Sequence, residues 1–211
     1  MGPEAPAGSG LAIRIGMSAA NPALPANWNP PDRGVVGIAC FIVAESALFI
    51  IFVVGYLFYI GKSLTGPYPD QVLKTPVLAS VCLLSSSATI VLAEHALHKA
   101  RIAAFRLWWT LTVLLGLSFL IQTALDWYEL IFKDHLTTAS NVFGSTFYGL
   151  VGLHATHVTV GLIFLSIVLC SSLAGFPVAS ETRRIRFLSW YWHFVDVVWV
   201  IVFLVVYVIG K

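Results

Sequence analysis

Residues 148–164 read YGLVGLHATHVTVGLIF and hold two histidines, His154 and His157, in an otherwise largely apolar stretch. The stretch lies within a longer apolar run, 144–173, which exceeds the roughly 20 helical residues needed to cross a bilayer. Residues i and i+3 are neighbours on a helix, so both imidazoles share one face. The stretch therefore predicts a membrane-spanning helix that carries two ionisable side chains near its middle.

The composition of the whole chain supports a membrane location. Of its 211 residues, 58% are hydrophobic and 10% are charged, and the mean hydropathy is +0.87. A soluble domain has about 25% charged residues, so most of this surface must face something other than water. The net charge of +2 gives no electrostatic reason to expect nucleic acid as a partner.

Five apolar stretches are long enough to span a membrane. Backbone groups in lipid must be satisfied internally, so each stretch is predicted to be a helix and the fold an all-α, five-helix integral membrane bundle. The predicted spans are 35–60, 76–94, 107–126, 144–173 and 189–209. Residues 1–33 are rich in Pro, Ala and Gly and lack the apolar core of a signal peptide, so they predict a flexible tail preceding a membrane domain at 34–211.

The basic residues between the spans predict the orientation. Eight of the twelve Lys and Arg residues fall on the side of the N-terminal tail, and four fall on the other side. Because cytoplasmic loops of membrane proteins carry an excess of Lys and Arg, the N-terminus is predicted to be cytoplasmic and the C-terminus periplasmic or outside.

Small residues recur at helical spacing in the first two spans and predict close helix packing within the bundle. The first set is Gly37, Cys40, Ala44 and Ala47, and the second is Cys82, Ser86, Thr89 and Ala93. The run Ser85-Ser86-Ser87 can form hydrogen bonds within its own helix or with a neighbouring one.

Glu45 lies about midway along the first span, where a charged carboxylate costs roughly 2.5–3.5 kcal/mol on insertion scales. It must therefore be protonated, paired, or placed against a polar interior or a lipid headgroup. Two interpretations stay open: a proton-linked or lipid-linked site, and a protonated carboxyl that hydrogen-bonds a neighbouring helix.

Four more ionisable residues lie inside apolar runs. His193 and Asp196 in the last span repeat the i, i+3 spacing of His154 and His157. Such groups can brace helices, relay protons, or hold a metal or haem. The reciprocal ExxH pairs of di-iron bundles do not occur, and no CxxC or HExxH pattern is present, so interhelical hydrogen bonding is favoured over a metal site. No nucleotide-binding or serine-hydrolase motif is present either.

Several stretches together resemble subunit III of the haem-copper respiratory oxidases. These are AESALF around Glu45, TPVLASVCLLSSSATIVLAEHALHKAR at 75–101, DWYE at 126–129, VFGSTFYGLVGLHATHVTVGLIFL at 142–165 and WYWHFVDVVWVIVFLVVY at 190–207. The resemblance covers about residues 34–210. Seven-span members have two further N-terminal helices, so this chain is similar to the shorter five-span bacterial form. TRRIRFLS before WYWHF departs from the acidic or small run of many members.

The resemblance implies a non-catalytic subunit of a proton-pumping terminal oxidase that reduces dioxygen to water, with cytochrome c oxidase favoured. No cofactor would be held by this chain, since haem and copper belong to partner subunits, and bound phospholipid is expected. The implied partners are subunit I in direct contact, subunit II and a small subunit IV, in a bacterial plasma membrane. Glu45 would be the lipid-linked or proton-linked residue, and His154, His157, His193 and Asp196 would form a polar network that holds the last two helices together.

Two alternatives stay open from the residues alone. A similar short chain could accompany a quinol oxidase or a nitric oxide reductase. A member of a different class, an independent membrane carrier of protons or solutes, could use Glu45 and the histidines itself.

Overall fold

A computed structural model of the chain describes residues 32–63 and 66–210, and these residues are all-helical apart from their connections. The predicted tail at 1–33 lies almost entirely outside the described residues. The helices are α1 (Arg33–Tyr59), α2 (Pro69–Val72), α3 (Val77–His98), α4 (Ile102–Phe132), α5 (Val142–Leu173) and α6 (Thr182–Phe203). A 3-10 turn, Val178–Glu181, precedes α6, and a π-helical segment, Leu204–Ile209, continues it.

The five long helices are each long and apolar enough to cross a membrane within the described part of the chain. The predicted all-α, five-span fold is confirmed at this level. The ends of three helices differ from the prediction by four residues or more, and one of them is α3, which continues to His98 rather than 94. α4 extends beyond 107–126 at both ends, and α6 begins at Thr182 rather than 189, because a helix can continue past the apolar segment that hydropathy detects. The added turns carry charged residues such as Arg106, Glu129 and Arg186.

The bundle is organised around α6, which contacts α1, α3 and α5. α3 packs most extensively on α4, and α4 also packs on α5. The predicted small-residue face of α3 is confirmed, since Ser86, Thr89 and Ala93 are buried. Their small volume allows α3 and α4 to approach closely, as expected for helices in lipid.

The small-residue face predicted for the first span does not pack inside the bundle. Gly37, Cys40, Ala44 and Ala47 are exposed, and nothing lies within 4 Å of the position that a Cβ on Gly37 would take. α1 instead packs through larger side chains, with Phe49 and Tyr56 buried. The first-span prediction was wrong because spacing identifies a face of small residues but not the surface that covers it.

Trp192 of α6 is the point at which four helices meet. Its side chain is fully buried, and its ring lies close to Gly116 of α4 and Gly161 of α5. A Cβ on Gly116 would come within 2.9 Å of the ring, and one on Gly161 within 2.8 Å. The indole N–H donates a 2.8 Å hydrogen bond to Ser86 Oγ of α3. The two glycines therefore make room for an indole that joins α6 to α3, α4 and α5.

We predict that Gly161→Ala destabilises the protein, because the new methyl group would overlap the buried indole. Overpacking of this kind costs about 1–3 kcal/mol. Gly37→Ala is the matched control, since it adds the same methyl group to a helix in open space and reports the gain in helix propensity alone. Thermal unfolding in detergent should give a lower midpoint for Gly161→Ala than for Gly37→Ala, and equal midpoints would contradict the packing role of Gly161.

Candidate functional site: ionisable groups at mid-membrane

Glu45 and His157 form a pair between the middle of α1 and the middle of α5. Glu45 Oε2 lies 3.0 Å from His157 Nε2, and His157 Nδ1 lies 2.8 Å from the carbonyl oxygen of Leu153. A carbonyl can only accept, so Nδ1 must carry a proton and donate it. Two neutral-overall states then remain: a protonated carboxyl that donates to a neutral imidazole, or a carboxylate that accepts from an imidazolium. In both of these states the pair shares one proton without a net charge, and such an arrangement suits mid-membrane.

This pair lies at the rim of the bundle. The side chains of Glu45 and His157 are 23% and 13% exposed. The ring of Phe49 lies 4.9 Å from that of His157, and the hydroxyl of Tyr191 donates a 3.0 Å hydrogen bond to the backbone carbonyl of His157. Residues from α1, α5 and α6 thus hold the pair in place while leaving part of it accessible.

His193 and Asp196 of α6 form hydrogen bonds with Ser87 of α3. The Ser87 hydroxyl bonds to Asp196 Oδ2 and lies 3.0 Å from His193 Nδ1. Asp196 is 3% exposed, and its second oxygen, Oδ1, has no hydrogen-bond partner among the described residues. These contacts join α6 to α3, with no member from α5.

His154 is in a different environment from the other ionisable residues. It is fully buried, and neither ring nitrogen has a hydrogen-bond partner among the described residues. Its ring stacks on Trp199 at 5.0 Å between centroids and meets Phe119 edge-on at 5.8 Å. In this position the imidazole packs as an aromatic ring between α4, α5 and α6.

The sequence grouped His154, His157, His193 and Asp196 into one network between the last two helices, and the structure arranges them differently. His157 pairs with α1, His193 and Asp196 bond to α3, and His154 makes no hydrogen bond that the structure describes. Spacing along one helix shows which residues share a face, but the partner helix depends on the tertiary arrangement.

The sequence indicated that Ser86 and Ser87 could form hydrogen bonds with a neighbouring helix, but not which residues of the last helix they bond, and Ser80 was not identified. Ser80 Oγ accepts a 3.0 Å hydrogen bond from the indole N–H of Trp199, as Ser86 does from Trp192. A tryptophan in the middle of a span could have predicted these bonds, because its indole N–H requires a hydrogen-bond acceptor when buried. The run of serines in α3 indicates where such acceptors lie.

Within the described residues, no group of three or more His, Cys, Asp or Glu side chains could hold a metal ion. The ionisable groups lie instead in pairs and hydrogen-bonded clusters at mid-span. Such an arrangement can hold or exchange a proton and can join helices.

The family model described as cytochrome c oxidase subunit III matches residues 32–211, which include all the residues described above. The chain belongs to the cytochrome c oxidase subunit III family. Cytochrome c oxidase subunit 3 of Bacillus sp. (strain PS3) is 35% identical over 178 residues, covering 83% of this chain and 85% of that protein. The subunit 3 of Synechocystis sp. is 34% identical, covering 85% and 77%, and that of Xenopus laevis is 35% identical, covering 84% and 70%.

Membership of the subunit III family identifies the chain as a multi-pass membrane subunit of a haem-copper oxidase. The predicted resemblance is confirmed by the match of the family model and by relatives from bacteria and animals. The chain is accordingly an accessory subunit of an oxidoreductase complex.

We predict opposite effects for two histidine substitutions on α5. His154→Phe keeps the aromatic packing and removes two buried nitrogens without partners, so stability should be unchanged or increased, since an unsatisfied buried group costs about 1–3 kcal/mol. His157→Phe removes the partner of Glu45 and should cost about 0.6–1.7 kcal/mol, from the average to the largest value for hydrogen bonds between helices of a folded membrane protein.

Thermal unfolding of both variants in the same detergent measures this difference, and each variant is a control for the other because the same substitution is made one turn apart. A lower midpoint for His154→Phe than for His157→Phe would contradict the assignment of His154 as a packing residue.

Proposed function

We propose that the chain is the non-catalytic subunit III of a proton-pumping haem-copper terminal oxidase, a cytochrome c oxidase that reduces dioxygen to water. The observation that carries the proposal is the family match over residues 32–211. In this assignment it packs directly on subunit I in a bacterial plasma membrane, with subunit II and a small subunit IV in the same complex. The haem and copper groups belong to the partner subunits.

The proposed orientation places the N-terminus in the cytoplasm and the C-terminus outside. Five crossings put the start of α1 and the end of α6 on opposite sides of the membrane. The excess of Lys and Arg on the N-terminal side, eight against four, supports a cytoplasmic N-terminus because positive charge accumulates in cytoplasmic loops.

Glu45 is the residue that we assign a proton-linked or lipid-linked role, with His157 as its partner. One proton can pass between the carboxyl of Glu45 and the imidazole of His157 without changing the net charge of the pair. Release of that proton to another group leaves one negative charge on the pair, which an incoming proton neutralises. An apolar groove of about 290 Å³ lies between α1, α5 and α6 and includes Phe41, Phe164 and Tyr191 in its walls. Its apolar lining suits a phospholipid acyl chain, and Tyr191 connects it to His157.

The subunit assignment predicts that the chain co-purifies with a haem-bearing membrane protein, and that the chain isolated by itself shows no haem absorption. The measurement is affinity purification in mild detergent followed by optical spectroscopy and identification of the co-purifying chains. Reconstitution of the isolated chain in liposomes is the control for an independent carrier. A Soret band that stays with the isolated chain, or proton flux through it alone, would overturn the assignment.

The haem types and the electron donor accepted by the purified complex distinguish the related assemblies. Oxidation of reduced cytochrome c supports the proposal, whereas a complex that uses only quinol or reduces nitric oxide would assign the chain to one of those oxidoreductases.

We predict that Glu45→Gln leaves the haem spectra unchanged but alters proton pumping, lipid content or the number of turnovers before inactivation. The amide of Gln can still donate a hydrogen bond to His157 Nε2, but it cannot release a proton. Proton-to-electron ratios, bound phospholipid and activity decay should be measured in the reconstituted complex. The control is Glu129→Gln, because Glu129 is a more exposed carboxylate paired with Lys74 and Lys133.

A comparison with Glu45→Leu separates the proton-linked or lipid-linked role of the carboxyl group from a purely structural role. If Glu45→Gln matches the wild type in all three measurements and only Glu45→Leu differs, the role of Glu45 is purely structural.

A further inference from the structure

The outward side of α6 carries a polar group in the middle of an exposed apolar stripe. Trp190, Val197, Val200 and Leu204 are 39%, 60%, 44% and 48% exposed. Together with His193 they recur at intervals of three or four residues, so they lie along one face of the helix. His193 is partly exposed within this stripe.

Exposed apolar residues of α3 lie beside the exposed stripe of α6. Leu84 and Val91 are 43% and 49% exposed, and they lie three residues before and four residues after Ser87, on its face of α3. Because Ser87 is hydrogen-bonded to His193, the exposed parts of the two helices are adjacent. We refer to Leu84, Val91, His193, Val197 and Val200 as the α3–α6 face.

His193, the polar residue at the centre of this face, cannot form a hydrogen bond with hydrocarbon. His193 Nδ1 bonds to Ser87, and the structure describes no partner for Nε2. In either tautomer the imidazole keeps one donor or acceptor to fill at Nε2. His193 lies near the middle of the span Thr182–Ile209, where acyl chains offer no hydrogen bond and water is scarce. A protein side chain at the same depth is the neighbour that can supply the missing bond.

The apolar part of the same face suits a helix as the neighbour. Four of its five residues are aliphatic and between 43% and 60% exposed, so they offer van der Waals contact along about two turns on each side of the imidazole. Association of helices in lipid depends on this combination of side-chain packing and interhelical hydrogen bonds.

We propose that the α3–α6 face is a protein–protein interface within the membrane. Its occupant is a transmembrane helix of another oxidase subunit, which places a hydroxyl, amide or carboxyl group within hydrogen-bond distance of His193 Nε2. The inference rests on the proposed function in that it takes the partner to be a subunit of the same complex. It adds the surface of this chain that makes the contact and the residue at its centre.

Photo-crosslinking in native membranes tests which molecule covers this face. Benzoylphenylalanine is placed at Val200, which is 44% exposed, and in a parallel sample at Ile163 of α5, which is 54% exposed and serves as a reactivity control. We expect Val200 to yield an adduct with another subunit of the complex. A lipid adduct alone, or a crosslinked dimer of this chain, would overturn the proposal.

A second experiment tests the hydrogen bond of His193. His193→Leu removes the polar group that we propose bonds to the partner, whereas Ser87→Ala removes the bonds to His193 and Asp196 within this chain and leaves the imidazole in place. We expect His193→Leu to weaken retention of the subunit in the detergent-solubilised complex about threefold, the average effect of a hydrogen bond between membrane helices, and Ser87→Ala to leave retention unchanged. Equal losses in the two variants would show that His193 acts within the chain, and would overturn its role at the interface.

The results can refute the proposed interface without refuting the subunit assignment. A chain that co-purifies with the oxidase but crosslinks only to lipid at Val200 keeps its proposed function and refutes this interface. A chain that does not co-purify with any haem protein refutes the subunit assignment itself.

Discussion

The absence of water at mid-membrane is the constraint on which the packing of this protein depends. A polar side chain there has to find its partner in another helix, in its own backbone or in a neighbouring molecule. The structure shows the first two cases: the Trp192 indole bonds to Ser86 of α3, and His157 Nδ1 bonds to the carbonyl of Leu153. The interface that we propose at His193 Nε2 is an example of the third. The positions of these groups therefore determine how the helices are arranged.

The last helix carries most of these directional contacts. Trp192 and Trp199 donate to serines of α3, Asp196 bonds to a third serine, and Tyr191 donates to the backbone of α5. Since apolar packing in lipid has little directional preference, such bonds select one rotation and one depth for a helix among many of similar packing energy. The polar residues of α6 thus specify its register against its neighbours.

The number and type of the elements could be predicted from the sequence, because hydropathy over 20 residues is a local property. The ends of α4 and α6 could not, since a helix can continue through charged residues once it leaves the hydrocarbon. The location of Glu45 at mid-span was evident from AESALF, but its pairing with His157 joins residues 112 positions apart, and only the tertiary arrangement brings them together. For the same reason, the partners of His193 and Asp196 were assigned to the wrong helix, and the exposed small residues of α1 were expected to be buried.

The weak burial of α1 has a consequence for the order of assembly. α1 is the first described helix to leave the ribosome, yet the helices on which it packs most extensively, α5 and α6, are synthesised last. It must remain in lipid by itself while more than 80 residues follow, and its most apolar window, with a mean hydropathy of 2.6, is the highest of the five. During this interval Glu45 has no His157 beside it, so its carboxyl group gains the partner that it has in the folded protein only when α5 enters the membrane.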